Sequence, residues 1–366
     1  MNIYIISGEA SGDLHGSNLM KAILKQEPDA TFRFWGGDLM QEVQDNLVTH
    51  YKDMAFMGFI EVVKHLKTIL SFFKKAKEDI LAFEADRVIL IDYPGFNLRM
   101  AKWLHKEGIP VTYYITPQVW AWHKSRVQQI KAYVDQVLCI LPFEEDFFKD
   151  NGVESTFVGH PLIDAIDQWE ANSHFKEAHK IEKPVLAILP GSRKQEVSKL
   201  LPVLIEGSTP FKESHQIVVA KSKSLSKSFF DQVPPHIKVI DNATYDILNI
   251  AQVALVASGT ATLETALHGI PQIVCYKTSP ISYQIGKRLI DLKYISLVNL
   301  ILDKLVVKEL IQGDCSPKNI QEELAKLIQG PRREEVLNGY KNLRQLLGTN
   351  ASLNAAKLIL NKTKNA

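Results

Sequence analysis

The sequence predicts an α/β protein of two doubly wound, parallel-sheet domains that face each other across a cleft. Three observations predict it. The chain has 366 residues, more than the roughly 250–300 at which one core usually stops growing. Short β-branched runs alternate with helical patterns, the mark of parallel sheets covered on both faces. A polar stretch, DQWEANSHFKEAHKIEKP at 167–184, interrupts that alternation and so separates two series of strands.

The first series reads NIYIIS, TFRFWG, RVILID, PVTYYI, QVLCIL and STFVG, with helix-like segments between. The second reads VLAILP, QIVVAK, IKVID, VALVAS and PQIVCYK. The expected division is therefore a Rossmann-like N-terminal domain over 1–165 and a second over 166–345. Residues 346–366 form a last helix expected to pack back on the first domain. GTN at 348–350 separates the two helical patterns of the tail, with Asn350 placed to cap the second.

Composition narrows the function. With 43 Lys and Arg against 41 Asp and Glu, the charge is nearly balanced and gives no general reason to expect nucleic acid as a partner. Three widely spaced cysteines, Cys139, Cys275 and Cys315, read as reduced packing residues, which favours the cytoplasm. The chain opens directly on a strand rather than on a signal peptide. No run has the ~20 apolar residues of a spanning helix.

In doubly wound sheets ligands sit beyond the carboxyl ends of the strands, so the residues just after each run are the candidates for chemistry. SGTATLETAL at 258–267 follows VALVAS and opens a helix. Ser258, Gly259, Thr260 and Ala261 would offer hydroxyls and free backbone N–H groups to a phosphate, and Glu264, about one turn in, could accept from a ribose diol. The same residues also suit a plain helix cap. GSRKQEV after VLAILP places Arg193 to meet a diphosphate with a two-pronged guanidinium, or merely at a loop beside a Ser192–Glu196 capping box.

SGEASGDLHG at 7–16 carries glycines spaced by four, not the closer spacing of a dinucleotide fingerprint, so nicotinamide binding is disfavoured. Glu9, Ser11 and Asp13 become candidate ligand contacts there. Asp92 ends RVILI and precedes YPGFN, where it suits a general base or a turn-forming residue.

GFIEVVKHLKTILSFFKKAK at 58–77 sets Phe59, Val62, Val63, Leu66, Ile69, Leu70 and Phe73 at helical spacing, with lysines around the stripe. That suits a membrane-surface helix or ordinary core packing. Trp120 and Trp122 suit contact with acceptor or lipid, or packing. With no Asp-x-Asp, C-x-x-C or H-x-x-x-H, no metal site is expected, and the serine-hydrolase elbow is absent.

Taken together, SGEASGD, MGFIEV, VILIDYPGFN, TPQVWAW, LPFEEDFF, VGHPLID, LPGSR, SGTATLE and SLVNLILDKLVVKELIQ resemble, in order, the lipid-A-disaccharide synthase family. The resemblance implies a GT-B type glycosyltransferase of family 19. It implies UDP-2,3-diacylglucosamine and 2,3-diacylglucosamine 1-phosphate as substrates, a β-1,6 disaccharide 1-phosphate and UDP as products, and inversion at the anomeric carbon. It also implies no cofactor or metal, no nucleic acid, and a cytoplasmic protein held peripherally on the inner face of the inner membrane of a Gram-negative bacterium. A homodimer is compatible with it.

Carried over residue by residue, the resemblance makes Asp92 the general base, Glu9 and Ser11 first-loop contacts, and Arg193 the phosphate-side arginine. It gives Glu264 to the ribose and puts Asn299, Glu309 and Gln312 in a second nucleotide-facing stretch. Two positions depart from the family pattern. Gly95 replaces a common acidic residue and Val298 a common proline. A UDP-sugar epimerase, a nicotinamide oxidoreductase and a non-catalytic sugar-nucleotide sensor are the competing readings.

Overall fold

The computed structural model describes residues 1–54, 66–121, 125–279, 283–284 and 292–364. The chain forms two compact units, Met1–Asp164 together with Leu347–Ala366, and Ala165–Leu346.

The first unit holds seven parallel strands, β1 (Asn2–Ser7), β2 (Thr31–Gly36), β3 (Leu47–His50), β4 (Arg87–Ile91), β5 (Val111–Tyr114), β6 (Gln136–Cys139) and β7 (Thr156–Phe157), ordered β3-β2-β1-β4-β5-β6-β7. The second holds six, β8 (Val185–Leu189), β9 (Gln216–Lys221), β10 (Lys238–Asp241), β11 (Ala251–Ala257), β12 (Gln272–Tyr276) and β13 (Lys308–Ile311), ordered β10-β9-β8-β11-β12-β13. Both sheets are doubly wound in the Rossmann sense. Their strand order reverses between β1 and β4 and between β8 and β11, and these are the points where such sheets leave a crevice for ligand. Two strands escape the sequence pattern, β3 and β13. Each has four residues, and β13, with Lys308 and Glu309, has only Leu310 fully buried, so neither carries the apolar run of a central strand.

Alternation along β1 shows how the first sheet is covered. Tyr4 and Ile6 face a core with Trp35, Leu90, Phe96 and Tyr113, while Ile3 and Ile5 face another with Phe32, Phe34, Ile89 and Tyr114, as the two-residue period of a strand requires. The helix Ala351–Lys364 closes the second face, burying Ala355, Ala356, Ile359 and Leu360. Arg87, fully buried, ties that helix to the sheet by donating to Thr363 Oγ1 at 2.6 Å and Thr112 Oγ1 at 3.1 Å. The cap expected of Asn350 comes from elsewhere. The Asp164 carboxylate accepts from Asn350 N at 2.8 Å and Ser352 N at 3.3 Å, and Asn350 takes a left-handed φ of 59°.

The helix Leu66–Ala82 presents the described half of the amphipathic 58–77 segment. Phe72 and Phe73 point inward, Phe72 edge-on to Trp35 at 5.8 Å and Phe73 stacked on Phe96 at 4.2 Å. Leu70 and Lys74 are exposed. Phe72 and Phe73 of the expected lipid-facing segment therefore pack on the core; Phe59, Val62 and Val63 lie outside the described residues, as does Trp122. Among the described residues no helix is long and apolar enough to cross a membrane, and no group of His, Cys, Asp and Glu is arranged to hold a metal ion.

Candidate functional site

The turn after β4 is strained. Asp92 and Tyr93 both take left-handed backbone, φ 42° and 51°, and Ile115 after β5 takes 61°. Such conformations are costly for residues other than glycine and persist only where surroundings over-determine them. Here Asp92 N donates to Ile115 O at 3.1 Å. The Asp92 carbonyl accepts from Asn97 Nδ2 at 2.8 Å and from Tyr113 Oη at 2.6 Å. Asn97 also donates to Ile91 O at 3.1 Å, so one buried amide fixes the end of β4 and the turn beyond it. The helix Pro94–Glu107 that carries Asn97 starts with proline, whose fixed φ suits a first helical turn.

Asp92 is half-buried, and burial, with the like charge of Glu9 as a second cause, pushes its carboxyl up to about 6. Glu9 and Ser11 are both exposed at the start of the helix Ala10–Leu24. Ser7 pairs with Ile91 across the two strands, so the loop after β1 and Asp92 leave the sheet side by side at its reversal point. Gly8 is required by close approach, since a Cβ there would collide with the Tyr93 ring. Asp13 departs from the role read for it. It is buried, and its carboxylate accepts from Gly37 N at 2.8 Å, Leu39 N at 3.1 Å and Met40 N at 3.0 Å, capping the helix Asp38–Val43.

Equivalent turns follow β8 and β11 in the second sheet. Arg193 is exposed and is itself the cap residue of the helix Lys194–Ser208, reached through Gly191 at φ 101°. The Ser192–Glu196 box does not form; Ser192 O instead accepts from Ser224 Oγ at 2.9 Å. Ser258 likewise leaves the helix uncapped, its hydroxyl donating to Ile295 O at 2.9 Å. Gly259 caps the helix Thr260–Leu267 with φ 154° and no side-chain bond. Gly259 and Thr260 are exposed and Ala261 is partly so, which leaves the first-turn N–H groups facing outward with the positive end of the helix dipole. Glu264 is half-buried, its pKa raised by burial and lowered by the hydrogen bond it accepts from Tyr245 Oη at 3.4 Å.

The remaining three predicted residues are committed to the protein. Asn299 is fully buried. Its Nδ2 donates to Val307 O at 2.9 Å and Glu309 Oε1 at 2.8 Å, and its Oδ1 accepts from Val306 N and Val307 N at 2.8 and 2.9 Å, which exhausts the side chain's donors and acceptors. Glu309 accepts further from Ile295 N and Ser296 N, each at 3.0 Å. Gln312 takes a left-handed φ of 53° and its Oε1 accepts from Thr278 N at 2.7 Å. These three brace the segments that border Ser258; Asn299 has nothing left to offer a ligand.

Sequence reasoning passed over three residues: Asn97, which holds the turn after β4, Tyr245, which donates to Glu264, and Glu144. Glu144 is buried and accepts from Thr116 Oγ1, Trp120 Nε1, Ile140 N and Leu141 N at 2.9–3.1 Å, and burial lifts its carboxyl to about 7. It pins the TPQVW segment, and with it Trp120, which is buried as a packing group. The signal was present for Asn97, an amide three residues past a helix-starting proline, but not for the others.

The family model described as lipid-A-disaccharide synthetase matches residues 3–362. The lipid-A-disaccharide synthase of Syntrophus aciditrophicus (strain SB) is 42% identical over 357 residues, 94% of this chain and 93% of that protein. That of Myxococcus xanthus (strain DK1622) is 36% identical over 369 residues, 98% of this chain and 96% of that protein. Among solved structures, the UDP-GlcNAc 2-epimerase of Methanocaldococcus jannaschii in complex with UDP-GlcNAc and UDP has a TM-score of 0.67 at 14% identity, covering 99% of this chain and 100% of that one. The glycotransferase of kitacinnamycin has a TM-score of 0.67 at 14% identity, covering 98% of each chain. The structural likenesses speak for the fold alone.

Proposed function

Since the chain belongs to the lipid-A-disaccharide synthase family and is thus a hexosyltransferase, we propose that it joins UDP-2,3-diacylglucosamine to 2,3-diacylglucosamine 1-phosphate. The products are the β-1,6-linked disaccharide 1-phosphate and UDP. The first unit handles the acceptor and the second the nucleotide.

In this reading Asp92 takes the proton of the acceptor 6-hydroxyl as its oxygen bonds to the anomeric carbon. The bond from that carbon to the UDP phosphate breaks on the opposite face and the electron pair leaves with UDP, so an α-linked donor gives a β product. Arg193 and the N–H groups of Gly259 to Ala261 receive the charge growing on the diphosphate, usually a large contribution in such chemistry. Glu264 accepts from the ribose hydroxyls. Glu9 and Ser11 border the acceptor. Glu309 and Gln312, with Asn299 behind them, hold the nucleotide-side loops in shape.

The observation that carries the reading is the state of Asp92, a carboxyl at the reversal point of the first sheet pushed up to about 6. A base is most effective when its pKa lies near the working pH. Purified protein given both diacylglucosamine substrates should yield the disaccharide phosphate by mass spectrometry. UDP release without that product, or isomerisation of UDP-GlcNAc alone, would overturn it.

The acylated substrates also give a reason for the protein to work on the cytoplasmic face of an anionic bilayer. Because Phe72 and Phe73 pack inward, the residues to test are Leu70 and Lys74. Flotation with anionic vesicles that is unchanged by Leu70→Ser with Lys74→Glu would remove this helix from the contact.

A further inference from the structure

Glu264 is a half-buried carboxylate with one hydrogen-bond donor among the described residues, the Tyr245 hydroxyl at 3.4 Å from Oε1. A carboxylate offers about four acceptor positions, and the partial exposure of Glu264 leaves the unused ones open to a ligand with paired donors. Tyr245 is itself held on two sides. Its ring lies edge-on to Trp169 at 5.8 Å and tilted against His268 at 4.9 Å, and Trp169 meets His268 edge-on at 5.7 Å. His268 stands four residues after Glu264, at the end of the same helix. Asn172 N donates to Asp246 Oδ1 at 3.2 Å, tying the segment that carries Trp169 to the helix Thr244–Ile250 that carries Tyr245.

We propose that Tyr245 is a positioning residue for nucleotide recognition: its hydroxyl fixes one Glu264 oxygen so that the remaining lone pairs meet the two ribose hydroxyls together, and Trp169 and His268 hold Tyr245 in that pose. This rests on the assignment of Glu264 to the ribose. Of the three aromatic side chains, Tyr245 is the one that donates a hydrogen bond to the Glu264 carboxylate, and removing its hydroxyl leaves the ring packing intact. Tyr245→Phe is therefore the informative change.

The test is calorimetric titration of the full chain with UDP and with 2′,3′-dideoxy-UDP. Wild type should prefer UDP, and Glu264→Ala should abolish the preference. Tyr245→Phe should weaken UDP by about three- to tenfold, the worth of one hydrogen bond, while affinity for dideoxy-UDP stays within about twofold and KM for the donor rises with kcat little changed. Loss of affinity for both ligands alike would make Tyr245 a packing residue and overturn the proposal. A Tyr245→Phe protein that binds UDP as wild type does would overturn it as well, leaving Glu264 on the ribose. If Glu264→Ala keeps the preference for UDP, the ribose assignment fails and takes this proposal with it.

Discussion

The reversal points of the two sheets share a topology and solve opposite problems. After β8 and β11 the chain turns through Gly191 and Gly259, which take positive φ at little cost. After β4 it turns through Asp92 and Tyr93, both left-handed, with Ile115 left-handed alongside. Each such residue costs on the order of 1–3 kcal/mol, and the sequence retains all three. The difference suits the roles proposed for the two turns. A phosphate is met by backbone N–H groups, which a glycine leaves bare. A proton is taken by a side chain, which must be carried by a residue that has one.

Asp92→Asn breaks the comparison most severely. Asparagine tolerates left-handed backbone, so the turn should persist while the base is lost. Turnover should fall by roughly 10²–10⁴-fold with UDP affinity near wild type; near-normal turnover would remove Asp92 from that role. Stability should move the other way. The folded pKa of Asp92 is raised from 3.8 to about 6, so its contribution is fully present below the unfolded value and is lost as pH rises through about 6. At about 1.4 kcal/mol per pKa unit, discounted for a half-exposed carboxyl, the loss is about 2 kcal/mol. The melting temperature of Asp92→Asn should therefore gain on wild type between pH 4 and 7.

Arg193→Ala tests the opposite turn. Arg193 is exposed and caps the helix through its backbone, with no side-chain bond, so folding should be unaffected. Removing a group that receives charge in the transition state costs about 10²–10³-fold in kcat. A rise in KM with kcat preserved would reduce Arg193 to ground-state binding.

The sequence carried the sheets more clearly than the turns. Central strands are legible because both faces are buried and the runs are continuous, whereas β3 and β13 are short, half-buried edge strands with no such run. Asp92 and SGTATLE stand out in the sequence because ligands in such folds sit beyond strand ends. The family resemblance put Asn299 in a nucleotide-facing stretch, but a motif match says nothing about lone pairs, and all its side-chain donors and acceptors serve Val306, Val307 and Glu309. Asp13 misled for the same reason, its partners lying 24 to 27 residues away.

Asn97 is the brace of the strained turn. Asn97→Leu keeps comparable bulk but withdraws the donor from Ile91 O and Asp92 O. Stability should fall by about 1–3 kcal/mol and kcat by about tenfold through a displaced base, measured by denaturant unfolding and steady-state rates. A variant that loses stability with kcat unchanged would show that Tyr113 and Ile115 suffice to aim Asp92.

The smallest effect separates the two causes that raise Asp92. Burial comes first and the negative charge of Glu9 second. Only the ionised carboxylate can take a proton, so kcat/KM, which reports the free enzyme, should fall on the acid side near pH 6. Glu9→Gln removes the like charge, favours ionised Asp92 and should move that limb to lower pH. Because Glu9 is exposed, the coupling is that of a screened surface pair, roughly 0.2–1 kcal/mol, or about 0.2–0.7 of a pH unit. Added salt should move the wild-type limb the same way and leave the Glu9→Gln limb in place. A limb that stays in place, or that responds to salt equally in both proteins, would place the origin of the raised pKa in burial alone.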